Sequence, residues 1–329
     1  MRRRDFLKAA VAAAAGGLSA SIASVSAASA QATAWPNKPV KLILPYAPGG
    51  ATDLIGRPWA DKLSQAFGHP FIIENRGGAG GMIGTEAVSK APADGYTFLL
   101  TPSAPLNILP TLRQVPYDPL TSFTPVARVG DLISGFVIHP SVGVKTFAEM
   151  LDYAKKNPGK LTFGSAGLGT STHMRVEMLN YRAKVEILHV PYRGSADALN
   201  DLLAGSIHMM NEINPLPHVR AGKLTLLNLN ASKRSSEWPG IPTLTELGYP
   251  NSDVPSWYSI QAPAGTPTDI IQAFNTKVIE IGKTADMQAT MTKLSVDLPF
   301  QTPAQMVEFL KNDIKANQEV IKAANIKLE

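Results

Sequence analysis

The chain has 329 residues, 44% of them hydrophobic, with 31 basic and 26 acidic side chains, a net charge of +5 and no cysteine. The missing cysteines exclude disulfides, thiolate metal sites, cysteine nucleophiles and a lipid-bearing first residue behind a signal, while the length favours two domains over one. Four basic residues (Arg2, Arg3, Arg4, Lys8) and one acid (Asp5) give the first eight positions a net +3, so the remainder carries only +2; with no basic run interleaved with aromatics, nucleic acid is not an expected partner.

Arg3-Arg4-Asp5-Phe6-Leu7-Lys8, a weakly apolar Ala/Gly/Ser run and the small residues Ala28 and Ala30 predict an export signal over residues 1–30, cleaved after about Ala30, and hence a periplasmic protein. The paired arginines read as a twin-arginine signal, which exports folded chains. An ordinary secretory signal with a basic start gives the same compartment. After Ala30 there is no run of about 18 apolar residues that could cross a bilayer.

Val40–Leu44 reads as a strand, followed by the glycine loop Tyr46-Ala47-Pro48-Gly49-Gly50 and a helix capped by Thr52 or Asp53, with Leu54, Ile55, Ala60 and Leu63 on its apolar face. The unit recurs as strand 71–73, glycine loop 77–81, helix 83–91 and strand 96–100. Strands alternating with helices imply a parallel sheet with right-handed crossovers. A second series opens with a strand at 134–138. A capping box at Thr146 to Glu149 then starts a helix running to about Lys156. Strand 161–163, glycine loop 164–170, helix 172–181 and strand 186–190 follow, and the alternation continues through 199–203, 207–210 and 224–229. Two tail helices begin at Thr266-Pro267 and Thr302-Pro303, each a capping residue followed by proline, with one short strand candidate, 295–298, between them. Lacking a sheet of their own, they are placed against the first one. The expected fold is therefore α/β with two domains, each a mostly parallel sheet flanked by helices. Domain I is discontinuous (31–131 and 257–329), domain II spans 132–256, and crossings near Asp131 and Trp257 make a hinge above a cleft.

Two loops carry the candidate chemistry. In Tyr46 to Asp53 the adjacent glycines let several N–H groups aim at one point ahead of a helix N-terminus, an anion site that needs no cation. Ser165 to His173 has the same form with hydroxyls and an imidazole added. On opposite lips of a cleft, the two would hold a small acid between amide dipoles; either alone could be a plain tight turn. Other templates fail. Gly282-Lys283-Thr284 has Lys277 where a phosphate loop needs glycine, and it falls within a helical pattern. Gly84 comes one place late for a dinucleotide fingerprint, and Phe163 stands where a nucleophile elbow needs glycine. Six scattered histidines form no metal pair. His189 reads as a packed histidine ending a strand, and His173 as the better ligand candidate.

Pro48-Gly49-Gly50-Ala51-Thr52-Asp53, the stretch Glu74-Asn75-Arg76-Gly77-Gly78-Ala79-Gly80-Gly81-Met82-Ile83-Gly84, Asp94-Gly95-Tyr96-Thr97, Pro116-Tyr117-Asp118-Pro119, His189-Val190-Pro191-Tyr192-Arg193-Gly194 and Ala262-Pro263-Ala264-Gly265-Thr266-Pro267 resemble the Bug-type substrate-binding receptors of tripartite tricarboxylate transporters. The resemblance covers the chain beyond the signal. It implies a monomeric two-domain periplasmic receptor of the Venus-flytrap kind, without cofactor or metal, that closes on a small carboxylate and delivers it to membrane permease subunits. It further implies that Tyr46, Ala47, Gly50, Ala51, Thr52 and Asp53 form one lip and that Thr170, Ser171, Thr172 and His173, behind Ser165, form the other. Thr101, Ser103 and Asn107 would reach in from the side. Glu74 to Arg76 is read as holding its own loop.

The segment His208-Met209-Met210-Asn211-Glu212-Ile213-Asn214-Pro215 departs from the family pattern. Asn211 or Asn214 could bond the distal end of the ligand, and Glu212 would repel a second carboxylate, unless the segment is a surface turn. A sensor that docks a signalling partner has the same ligand chemistry. An enzyme using His173 as a base beside Thr172 lacks a third group to orient the imidazole. Backbone amides recognise a carboxylate and nothing further, so dicarboxylates, citrate-like acids, amino acids and aromatic acids all stay open.

Overall fold

Branched apolar runs make the first sheet. In the computed structural model, which describes residues 35–231, 233–250, 252 and 254–326, Val40–Leu44 (β1) pairs in parallel with Phe71–Asn75 (β2) and Thr97–Pro102 (β3), setting Leu42 beside Ile73 and Phe98. Helices Ala51–Phe67 (α1) and Met82–Ser89 (α2) make the crossovers. The expected signal at residues 1–30 lies outside the described residues. From Lys38 onward the chain packs as one compact unit.

The chain then runs through Phe123–Leu132 (β4) into a second sheet. Its elements are Val137–Ile138 (β5), helix Phe147–Lys156 (α3), Thr162–Ser165 (β6), helix Ser171–Ala183 (α4), Leu188–Pro191 (β7), helix Ser195–Ala204 (α5), Met209–Met210 (β8) and Thr225–Leu226 (β9). Trp257–Pro263 (β10) returns to the first sheet, followed by helices Thr268–Gly282 (α6) and Ala285–Lys293 (α7), the edge strand Val296–Asp297 (β11) and helix Pro303–Ala323 (α8). The strand orders are β11-β4-β10-β3-β1-β2 and β7-β6-β8-β5-β9.

Parallel pairing holds among β1, β2 and β3 and among β6, β7 and β8, where helices make the connections. Strands next to the passages between sheets pair antiparallel: β10 with β3 and β4, β11 with β4, and β5 with β8 and β9. Both sheets are therefore mixed. Just before β5 the chain passes close to the neighbouring segment: a Cβ at Gly135 would lie 1.8 Å from the Asn228 carbonyl oxygen, an approach that only glycine permits.

Helix starts follow the capping chemistry with three exceptions, the first at α6, where Pro267 takes the cap position and the expected cap Thr266 instead donates its hydroxyl to the Pro263 carbonyl at 2.8 Å. The boxes at Thr146/Glu149 and Thr302/Gln305 form, and Thr170 caps α4 by accepting the His173 N–H. In α1, Gly50 is the cap and Thr52 and Asp53 fall inside the first turn. The helical pattern across Gly282-Lys283-Thr284 is broken: Gly282 ends α6, and Thr284 caps the separate helix α7, which periodicity had merged with it.

The tail helices lie on the first sheet. Asn275 in α6 donates to the Val126 carbonyl at 2.8 Å, and Met306 and Leu310 in α8 pack with Ile43, Leu99 and Trp257. A second core gathers Phe136, Met150, Phe163, Val176, Leu179 and Met209. A third joins Ala104 and Ile108 to Met174 and Met178 of α4, Val254 and Ile321 of α8, so the last turns of α8 tie the two layered sheets together.

Candidate ligand-binding site

The strand-to-helix loops bring two helix N-termini to one cavity. Tyr46, Gly50, Ala51 and Thr52 line it from the start of α1, and Ala166, Thr170, Ser171 and Thr172 from the start of α4. Pro102 and Ala104 after β3, Ser195 at the start of α5, Glu212 after β8, and Ser256 and Tyr258 around the start of β10 complete the wall, within which the free volume is about 20 Å³, room for about one water. First-turn amides without intrahelical acceptors, together with the positive ends of two helix dipoles, make this a place for an anion.

The two sides touch. The Ala51 N–H donates to Ser195 Oγ at 3.0 Å, and the Ser103 and Ser171 hydroxyls stand 3.3 Å apart. A Cβ on Gly80 would lie 2.3 Å from the Leu168 carbonyl oxygen, and one on Gly194 would lie 3.3 Å from the Ala47 Cβ. Glycine is what lets these backbones approach so closely. Tyr46 helps fix the first side by donating to the Gly80 carbonyl at 2.9 Å.

Several expected site residues support the loops from behind. Asp53 turns away from the cavity: its carboxylate accepts from the Gly49 N–H, Arg57 and Asn75. Burial pushes its pKa up, but those hydrogen bonds and the Arg57 charge outweigh burial and hold it below the ordinary range. Ala47 is half-buried and faces Gly194. Thr101 is buried in β3, with its hydroxyl on the Pro102 carbonyl. Ser165 is consumed by His189 Nε2 at 2.6 Å and by the Gly167 N–H.

His173 is not a base facing the cavity. Its Nδ1 accepts the Gly169 N–H at 3.2 Å, its ring stacks on His189 at 4.2 Å, and burial pulls its pKa down to about 4, so the imidazole is neutral and structural. Asn107 and Asn211 also point elsewhere. Asn107 donates to Asp313 of α8. Asn211 accepts from Ser134 and Arg175 and donates to Asn230, a buried network that continues to Asn228. Asn214 donates to the Ser195 carbonyl at 2.9 Å and so holds the start of α5. The segment 208–215 is no surface turn: Asn211, Glu212 and Asn214 are all buried.

Among the described residues, Glu212 is the one charged residue in the cavity wall, and it is 7% exposed. Burial raises its pKa to about 7, against the lowering effects of the Arg175 charge and the Ile213 N–H. Burial also raises the pKa of Tyr46 and of Tyr258, whose hydroxyl is 3.3 Å from Thr52 Oγ1. Sequence reasoning missed Ser195, although Val190-Pro191-Tyr192-Arg193-Gly194-Ser195 repeats the strand, glycine, helix pattern of the other lips. Ser256 and Tyr258 gave no local signal. They reach the cavity because β10 pairs with β3 from about 160 residues further along the chain.

The family described as the tripartite tricarboxylate transporter family receptor matches residues 55–326. Protein BugT of Bordetella pertussis is 34% identical over 307 residues, covering 92% of this chain and 94% of BugT. Among solved structures, the periplasmic binding protein BugD is 30% identical with a TM-score of 0.86, covering 90% of this chain and all of BugD. Rpa4515 of R. palustris, solved with adipate, is 33% identical with a TM-score of 0.85, covering 89% of this chain and 99% of that one. Sequence and fold agree over nearly the whole described length, and this chain belongs to the tripartite tricarboxylate transporter family receptors, as a Bug-type periplasmic solute-binding protein.

Proposed function

We propose that the protein captures a small carboxylate in the cavity between its two sheets and presents it to a membrane permease of the tripartite tricarboxylate type. The observation that carries this reading is the meeting of the α1 and α4 N-termini in one cavity, with Gly50, Ala51, Thr52, Thr170, Ser171 and Thr172 in its wall. Amides there bind the carboxylate, each charge-assisted bond contributing about 1.5–3 kcal/mol. No bond is broken in this reading. The chain divides into a domain of residues 31–131 and 257–329 and a domain of residues 132–256, and the passages near Asp131 and Trp257 form the hinge about which the lips close. The first 30 residues export the chain to the periplasm. That the similar protein Rpa4515 is solved with adipate supports a small acid as ligand.

The test is thermal unfolding against a panel of small mono-, di- and tricarboxylic acids and their methyl esters. A true ligand at 100 times its Kd adds about 2.7 kcal/mol of stability, and its ester adds none. If no acid raises the transition, or esters act as well as acids, carboxylate capture is refuted. Delivery is tested separately, by co-purification of the loaded protein with the permease subunits from membranes.

A further inference from the structure

Ser295 holds a backbone conformation made for glycine. It lies buried in the turn between α7 and β11 with φ +56°, a left-handed geometry that costs energy unless the side chain gains something there. Its gain is an ion pair from a distant part of the chain. The Ser295 hydroxyl donates to Glu237 Oε2 at 2.8 Å and accepts from Arg220 Nη2 at 3.3 Å. Arg220, at the end of the short helix Leu216–Arg220, donates to Glu237 through Nε at 2.9 Å and stands over the Trp238 ring. Arg220 and Glu237 fall in the span assigned to the second domain, and Ser295 in the span assigned to the first. The contact lies beside a passage between them, since the Ser295 carbonyl accepts the Ile133 N–H at 2.9 Å just after β4. The lips touch in the same structure, so this contact belongs to the closed form. Swinging the domains apart leaves the Arg220–Glu237 pair whole within one domain and exchanges only the bonds of the Ser295 hydroxyl for water. No charge is orphaned, so the contact is weak enough to release.

We propose that Ser295 is a latch: its hydroxyl, held by Arg220 and Glu237, favours the closed form and so tunes ligand affinity from outside the cavity. Apparent affinity scales with the fraction of molecules in the binding-competent form, so a change in closure changes Kd without touching the ligand. The latch rests on the two-domain reading of the proposed function and supplies a contact that sets its open and closed populations.

The test measures opening without a ligand. The chain has no cysteine, so Lys90→Cys and Lys156→Cys, at exposed positions of the first and second domains, carry the only spin labels, and pulsed dipolar spectroscopy gives the distances between them. Gly80→Ala, whose added methyl meets the Leu168 carbonyl across the lips, marks the open distance. Ser295→Ala, and separately Glu237→Ala, should shift the population toward that distance by at least about threefold. The double variant should shift it no further than either alone, because both remove one contact. Arg234→Gln, which breaks an exposed ion pair within the second domain, should match wild type. Wild-type distances in both Ser295→Ala and Glu237→Ala overturn the latch, as does an equal shift in Arg234→Gln. Glu237→Ala decides the matter alone if Ser295→Ala does not fold. A wild-type distribution already at the Gly80→Ala distance also overturns the latch, since the protein then has no closed population to hold, while carboxylate capture is judged separately by the unfolding panel.

Discussion

Gly80→Ala isolates the contact between the two lips. Gly80 has φ +67°, and a Cβ there would fall 2.3 Å from the backbone oxygen of Leu168, on the other side of the cavity, where ordinary contact begins at 3.4 Å. Neither partner is the end of a flexible side chain, so the lips must part by about 1 Å. A hydrogen bond of about 2.9 Å stretched by that amount is no longer one, and losing a single charge-assisted bond from one lip costs about 1.5–3 kcal/mol, roughly 10- to 100-fold in affinity. The methyl also brings the left-handed backbone penalty, about 1–2 kcal/mol. Gly68→Ala controls for that penalty, since Gly68 has φ +70° and open space around it. Both variants should lose similar stability in urea unfolding, while only Gly80→Ala loses affinity in calorimetry and the ligand-induced decrease in radius of gyration by X-ray scattering. If Gly80→Ala binds within about twofold of Gly68→Ala, the lips do not close on the ligand.

Ser195→Ala removes the hydrogen bond to the Ala51 N–H that spans the cavity. Its loss should weaken binding by about 1 kcal/mol, roughly fivefold, and an unchanged Kd would show that Ser195 takes no part in closure. Arg175→Met removes the buried charge beside Glu212 and leaves the Val254 carbonyl and Asn211 without their donor, and should cost about 3–5 kcal/mol in urea unfolding at neutral pH or above; a loss below about 1 kcal/mol would mean that the network contributes little. Glu212→Gln should become more stable relative to wild type as pH rises. Burial raises this carboxyl from 4.5 to about 7, so the native state holds a proton that the unfolded chain has released. Its contribution is complete below pH 4.5 and is lost as pH rises through about 7, so the gap between variant and wild type grows by up to ~3 kcal/mol from pH 5 to 8. A gap independent of pH would place Glu212 in water.

Legibility followed the range of the interactions. The strand, glycine, helix units at 40–67 and 162–183 were readable because period, glycine and cap all act within a few residues, and the boxes at Thr146 and Thr302 formed as written. The side-chain roles were less readable. Asn107, Asn211 and His173 are polar and lie just beyond a strand or a glycine loop, which shows that each needs a hydrogen-bond partner but not which. The partner of Asn107 is Asp313, 206 positions away, that of Asn211 is Arg175, 36 positions back, and that of His173 is the Gly169 N–H, four residues back. A polar side chain near a lip is therefore as readily a brace as a ligand contact. Even in the cavity wall many polar groups hold one another, Tyr46 on the Gly80 carbonyl, Tyr258 against Thr52, Ser171 against Ser103 and the Ala51 N–H on Ser195, so a ligand must exchange some of these bonds for its own. In the proposed reading the helix starts and their glycine loops set where a carboxylate rests, and the other wall residues, which come from distant parts of the chain, meet the remainder of the ligand.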